Sequence, residues 1–201
     1  MLLDHGGKRP VIDSTARIAP TAVICGDVTI GPGTSIGFGA VITAESGSVS
    51  IGADCVVMEN AVLRGVVGAP LRIGNGVMIG PHASLTGCTL EDAVFVATGC
   101  ALFNGARIGQ GSVVRINGIV HVGTVLPEKS VVPIGWVAVG DPVTLLPPDR
   151  HDEISALLKQ QNFVGRVFGI DEVPPGQGFT QIAVPRYAAA LVKHHGDDAE
   201  V

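Results

Sequence analysis

Residues 79–89, IGPHASLTGCT, gather a histidine, a serine, two threonines and a cysteine in one short stretch. The imidazole of His82 titrates near neutral pH, so it can carry a proton or ligate a metal. Arg64, in VLRG, is a permanent cation whose planar fork of donors suits a carboxylate or another anion. Glu59, in MEN, adds a carboxylate, and Thr43, Glu45 and Thr86 add further polar groups nearby in the repeat described below. His121 is the other histidine of that repetitive region, whereas His5, His151, His194 and His195 fall outside it. Three chemistries are open: acid–base or binding work by His82, Glu59 and Arg64; anion binding by Arg64, Thr86, Glu45 and Thr43; and a metal site built on His82 and His121. The last has few donors, because a metal site needs ligand number and geometry together. No nucleophile stands out.

What positions these residues is a repeat of six. Ile12, Ile18, Ile24, Ile30, Ile36 and Ile42 fall six apart, and the series resumes at Ile51, Val57 and Leu63. After GVVGAPLR it continues through Ile73, Ile79 and Leu85, takes one step of five to Leu90, and then runs by sixes to Val132. A small residue often stands four places after the anchor, as at Thr34, Ala40, Cys55, Ala61, Ala83, Cys100, Ala106 and Ser112. This period fits neither an amphipathic helix nor an alternating hairpin. It fits a hexapeptide β-helix, in which each hexad is one side of a triangular prism and the aliphatic anchor points inward. Twenty anchors at three per turn make about seven coils.

Stacking the coils sorts the anchors into columns. One column is Ile24, Ile42, Leu63, Leu85, Leu102 and Val120; the residues that follow give an outward column of Cys25, Thr43, Arg64, Thr86, Phe103 and His121. Rungs lie about 4.8 Å apart, so Arg64 neighbours Thr43 and Thr86, while His121 is two rungs from Thr86. The adjacent face runs Ile18, Ile36, Val57, Ile79, Val96, Val114 and Val132. Three residues after its anchors stand Gly39, Asn60, His82, Gly99 and Asn117. These types tolerate positive φ, so His82 has a purely architectural reading as a prism corner. For Arg64 the corresponding plain reading is a solvated surface ion pair.

The 201 residues are 46% hydrophobic but only 4% aromatic and include 28 glycines, which suits a narrow interior filled by Val, Ile and Ala. A net charge of −5 without basic clusters excludes nucleic acid as the expected partner. No segment is apolar and long enough to span a bilayer, and the start lacks the apolar run of a signal peptide, so the expectation is a cytoplasmic protein with no membrane partner. Cys25, Cys55, Cys88 and Cys100 form no CxxC pair and read as buried thiols. The organisation expected is an N-terminal extension (1–11), the coil (12–140), a helix region packing on it (141–165) and a Pro/Gly-rich tail (166–201). In the helix region Asp149 opens DRHDEISALLKQQ, with acidic residues early and Lys159 late, as the helix dipole favours. In the tail a short helix is expected in RYAAALVKHHGDD, after Pro185.

The stretches GAVITAESGSVSIGADCVVMENAVLRG and LRIGNGVMIGPHASLTGCTLEDAVFVATGCALFNGARIG together resemble gamma-class carbonic anhydrases over about residues 12–135. The resemblance implies an all-β, single-stranded left-handed parallel β-helix with a C-terminal α-helix, assembled as a homotrimer. In that family three histidines from two neighbouring subunits hold zinc. Carried over position by position, those ligands fall on Arg64, Pro81 and Thr86 here; the family's Arg-Gly-Asp falls on Thr43, Ala44 and Glu45, and its Gln-Asp-Gly on Met58, Glu59 and Asn60. None of the three ligand positions offers imidazole, so the expectation is no cofactor, with zinc on relocated histidines as an alternative. The repeat also resembles acyltransferases that use CoA or a carrier, but Thr86-Gly87-Cys88 stands where lipid A pathway enzymes carry His-Asp-Cys. Four functional readings follow: a zinc-free trimer that binds or processes a small anion in the intersubunit cleft; a noncatalytic assembly protein; an acyltransferase; and a metal-dependent hydratase or hydrolase using His82 and His121.

Overall fold

The computed structural model describes residues 1–195 and 198–200, excluding the side chains of residues 45, 193–195, 198 and 200. Short parallel strands, many of them only two residues long, wind into a left-handed β-helix. One face is a seven-stranded parallel sheet, whose registers join Ile18, Ile36, Val57, Ile79, Val96, Val114 and Val132. A second face joins Ile24, Ile42, Leu63, Leu85, Leu102 and Val120. The third joins Ile12, Ile30, Ile51, Ile73, Leu90, Ile108 and Leu126. Strands Val23–Ile30 and Val41–Ile51 run round a corner and merge these last two faces into one sheet.

The columns expected from the hexads are therefore the columns formed. Every anchor except Ile12 and Ile18 is buried, and those two pack against the cluster from its open end. Each fully buried Leu or Ile contributes about 1.5–3 kcal/mol of apolar transfer, and the small corner residues let the prism close. Corners need left-handed backbone: Asn60 has φ 58°, His82 φ 58° and Asn117 φ 57°, with Gly39 and Gly99 in the same column. Corner-to-corner bonds tie successive coils, as where the His82 amide donates to the Glu59 carbonyl at 3.0 Å.

The interruptions in the repeat stack on one another. Residues 45–48 bulge within strand Val41–Ile51, while Val66 and Ala69 exchange backbone hydrogen bonds around Val67 and Gly68. Gly47 lies against the Val66 backbone so closely that a Cβ there would overlap its carbonyl oxygen. Strand Leu2–His5 adds a rung beside Ile24 and Cys25, and Thr144–Leu146 pairs antiparallel with Val137–Val139 at the other end.

Three helices follow. Helix α1 (His151–Gln160) carries Asp152 and Glu153 early and Lys159 late, and packs by strand Val137–Val139. Helix α2 (Phe163–Phe168) is capped by Asn162, whose side chain accepts from the Gly165 amide. Helix α3 (Phe179–His195) starts before Pro185 rather than after it. The Gln181 side chain reaches back to the Gly178 amide at 3.0 Å, half of a capping box that fixes the first turn upstream of the proline. The proline removes one interior donor without ending the helix. Among the described residues no helix is long and apolar enough to cross a membrane.

Candidate functional site

Arg64 ends strand Val62–Arg64, with Thr43 beside it on one rung and Thr86 on the other. Phe103 and His121 continue the outward column, because Leu102 and Val120 continue the inward one. Helices α2 and α3 lie over this column. His121 sits between Phe103 and Phe163, each 5.4 Å away centroid to centroid. Phe163 meets Phe168 at 6.1 Å, and Phe168 meets Phe179 at 5.6 Å. A chain with six phenylalanines thus places four of them in one ladder that fastens its C-terminal helices to the coil.

Between coil and helices lies a cleft of about 460 Å³ lined by Arg64, Thr86, Phe103, Arg166, Tyr187 and Leu191. Its upper wall is Ser46, Val66 and Val67, supplied by the two stacked interruptions of the repeat. Nη2 of Arg64 donates to the Tyr187 phenol oxygen at 2.7 Å. Arg166 lies over Gly123, where a Cβ would collide with its guanidinium Nη1. Among the described residues the ion pairs are Arg9–Asp4 and Arg150–Glu153, so neither Arg64 nor Arg166 is neutralised by a described carboxylate. Two guanidinium groups, a phenol and the Thr86 hydroxyl give this cleft a donor-rich character on an apolar floor, an arrangement suited to an anion.

The other expected residues are distributed differently. Thr43 is partly buried one rung from Arg64, and the Glu45 side chain lies outside the described residues. Glu59 and His82 are exposed at the corner of the seven-stranded face, and neither lines the Arg64 cleft of its own chain. His82 and His121 stand apart: His82 is an exposed corner, whereas His121 is 8% exposed inside the aromatic ladder. The His121 Nδ1 is buried without a hydrogen-bond partner, and burial holds its pKa below the ordinary value of 6.5.

The family's zinc would need imidazole, thiolate or carboxylate donors. Arg64, Pro81 and Thr86 offer no imidazole, thiolate or carboxylate, and a fixed cation at Arg64 repels a dication. Among the described residues no three of His, Cys, Asp and Glu cluster as a metal site. The donor set does not fit zinc. All four cysteines are buried, and burial pushes the Cys55 and Cys100 thiols up and that of Cys88 up to about 12.

Sequence reasoning reached Arg64 and Thr86 but missed Arg166, Tyr187 and Asn104, which also lines the cleft. A signal was available: three of the six phenylalanines and the single tyrosine fall after residue 160, in a chain otherwise poor in rings.

Residues 9–44 match the family model described as bacterial transferase hexapeptide (six repeats). The chain is 35% identical over 161 residues to gamma carbonic anhydrase 1, mitochondrial, of Arabidopsis thaliana, covering 77% of this chain and 56% of that protein. It is 32% identical over 111 residues to a carbonic anhydrase of Geobacillus kaustophilus, covering 55% of this chain and 61% of that one. The chain therefore spans less than two thirds of the length of these curated relatives. A Bacillus cereus crystal structure with a provisional acetyltransferase description superposes with TM-score 0.53 at 26% identity, covering 76% of this chain and 87% of that chain. The β-helix architecture that the two share serves several chemistries. The motifs, the register of the coils and these relatives agree: the chain belongs to the gamma-carbonic-anhydrase-like family of left-handed β-helix proteins.

Proposed function

We propose that the protein is a homotrimer that binds a small anionic molecule at the Arg64 cleft and works without zinc-hydroxide chemistry. The observation that carries this reading is Arg64 itself. Its guanidinium opens onto a cleft of about 460 Å³ and bonds the Tyr187 phenol at 2.7 Å, and the family resemblance aligns it with the first zinc-binding histidine. A carboxylate is the natural competitor for those donors. His82 and Glu59 lie on the corner that follows the seven-stranded face. They reach an Arg64 cleft only across a subunit boundary, where His82 would act as acid or base on the bound anion. Titration calorimetry with short-chain carboxylates tests the reading. Binding that disappears in Arg64→Leu supports it, and saturable binding unchanged by that substitution contradicts it.

A noncatalytic assembly role is the second reading, favoured by the adjacent, seven-stranded face. Met78, Phe95, Ile116 and Ile134 are all exposed and line an apolar hollow of about 450 Å³ with Met58 and Pro81. Exposed apolar surface of this kind is commonly covered by a symmetric partner. Light scattering supports self-association through this face if Phe95→Glu with Ile116→Glu converts the wild-type trimer to monomer. A trimer that survives both changes contradicts it.

A further inference from the structure

The Arg64 cleft holds a second cation that no site assignment covers, and its placement limits the shape of the ligand. Arg64, Thr86, Phe103 and His121 occupy successive rungs of one outward column. Gly123, against which Arg166 packs, follows His121 by two residues and so lies at the level of the far rung. The Arg166 guanidinium is thus three rungs, roughly 14 Å, from the backbone level of Arg64. Between them the floor is Phe103 and the walls include Val66, Phe168 and Leu191, all apolar. One compact anion cannot engage cations held so far apart. Two anionic groups joined by a hydrocarbon segment can.

From this we infer that the cleft takes an elongated dianion, a medium-chain α,ω-dicarboxylate, with one carboxylate on Arg64 beside Tyr187 and the other on Arg166. With the Arg64 side chain standing perpendicular to the sheet at its own rung, subtracting a charge-assisted hydrogen bond of about 2.8 Å at each end leaves roughly 8–9 Å between the carboxylates. That is the span of an extended chain such as suberate, whereas succinate is too short to reach both. Thr86 and Asn104 stand along the trough near the two ends and supply neutral donors. Tyr187 orients the Arg64 fork, and a ligand oxygen would replace or join the phenol as its acceptor. The inference rests on the anion-binding reading above and adds Arg166, the spacer and the length.

Titration calorimetry of the full chain with succinate, suberate and octanoate separates the two claims. The expected result is suberate binding at least about tenfold tighter than either succinate or octanoate, the gain that a second charge-assisted contact gives. In Arg166→Leu suberate should fall to the level of octanoate, and in Arg64→Leu both should be lost. Circular dichroism confirms that each variant stays folded. Octanoate equal to suberate in the wild type, or a preference for suberate that survives Arg166→Leu, overturns the two-cation site while leaving anion binding at Arg64 intact. Absence of binding by all three overturns both.

Discussion

Arg64 and Tyr187 are 123 residues apart in sequence, yet the guanidinium Nη2 donates to the phenol oxygen at 2.7 Å. The bond joins a residue of the β-helix to the last helix and closes the cleft between them. Tyr187→Phe keeps the ring and removes the acceptor. It is expected to lower stability by about 1 kcal/mol, the net worth of one partly exposed hydrogen bond. Urea denaturation measures that loss, and hydrogen exchange should show it concentrated in α3; protection of α3 equal to wild type would contradict the link.

His121 gives the protein a pH dependence with a definite sign. Burial between Phe103 and Phe163 lowers its folded pKa below 6.5. The unfolded chain therefore takes the proton first as pH falls, so stability is complete above 6.5 and declines below it. His121→Phe should flatten this decline. Thermal unfolding of both proteins between neutral and mildly acidic pH checks it: parallel curves would mean that His121 does not titrate differently on folding.

Leu85 is an inward anchor with no exposure, stacked between Leu63 and Leu102. Leu85→Ala leaves a void in a prism too narrow to collapse around it, and a loss of about 2–5 kcal/mol is expected. Denaturant unfolding provides the measurement, and a loss below 1 kcal/mol would contradict rigid packing at this rung.

Gly47 supports the cleft from its upper wall. A methyl group there meets the Val66 backbone, so Gly47→Ala must push the two stacked interruptions apart. The expected cost is about 1–3 kcal/mol, with weaker carboxylate binding at Arg64 by calorimetry. Unchanged stability and binding would mean that the wall does not shape the site.

The coil was legible because its rule is local and repeated. An aliphatic residue every six positions specifies both the inward direction and the neighbour one rung away, so the column containing Arg64, Thr86 and His121 followed from spacing alone. The step of five after Leu85 disturbed nothing, since Gly87 takes φ 51° and the register resumes at Leu90. The His82 corner was legible for the same reason, its column sharing one backbone conformation.

The cleft was legible only on its coil side. Whether α3 lies over Arg64 depends on contacts between residues more than a hundred positions apart, and no repeat announces them. Pro185 reads locally as a boundary, although the first turn before it is secured by Gln181 and Gly178. Arg166 looks like an ordinary helix arginine until Gly123 gives it a seat. The interruptions likewise read as gaps in the pattern, whereas Ser46 and Val66 make them a wall.

Zinc stoichiometry distinguishes the proposed anion site from the metal site that the family holds at the same place. Protein purified without chelator, supplied with excess zinc and dialysed, is analysed for metal per subunit alongside His82→Ala. Zinc is expected far below one per subunit in both proteins, because Arg64, Pro81 and Thr86 provide no suitable ligand. Zinc near one per subunit in the wild type, lost in His82→Ala, would contradict it and establish a relocated metal centre.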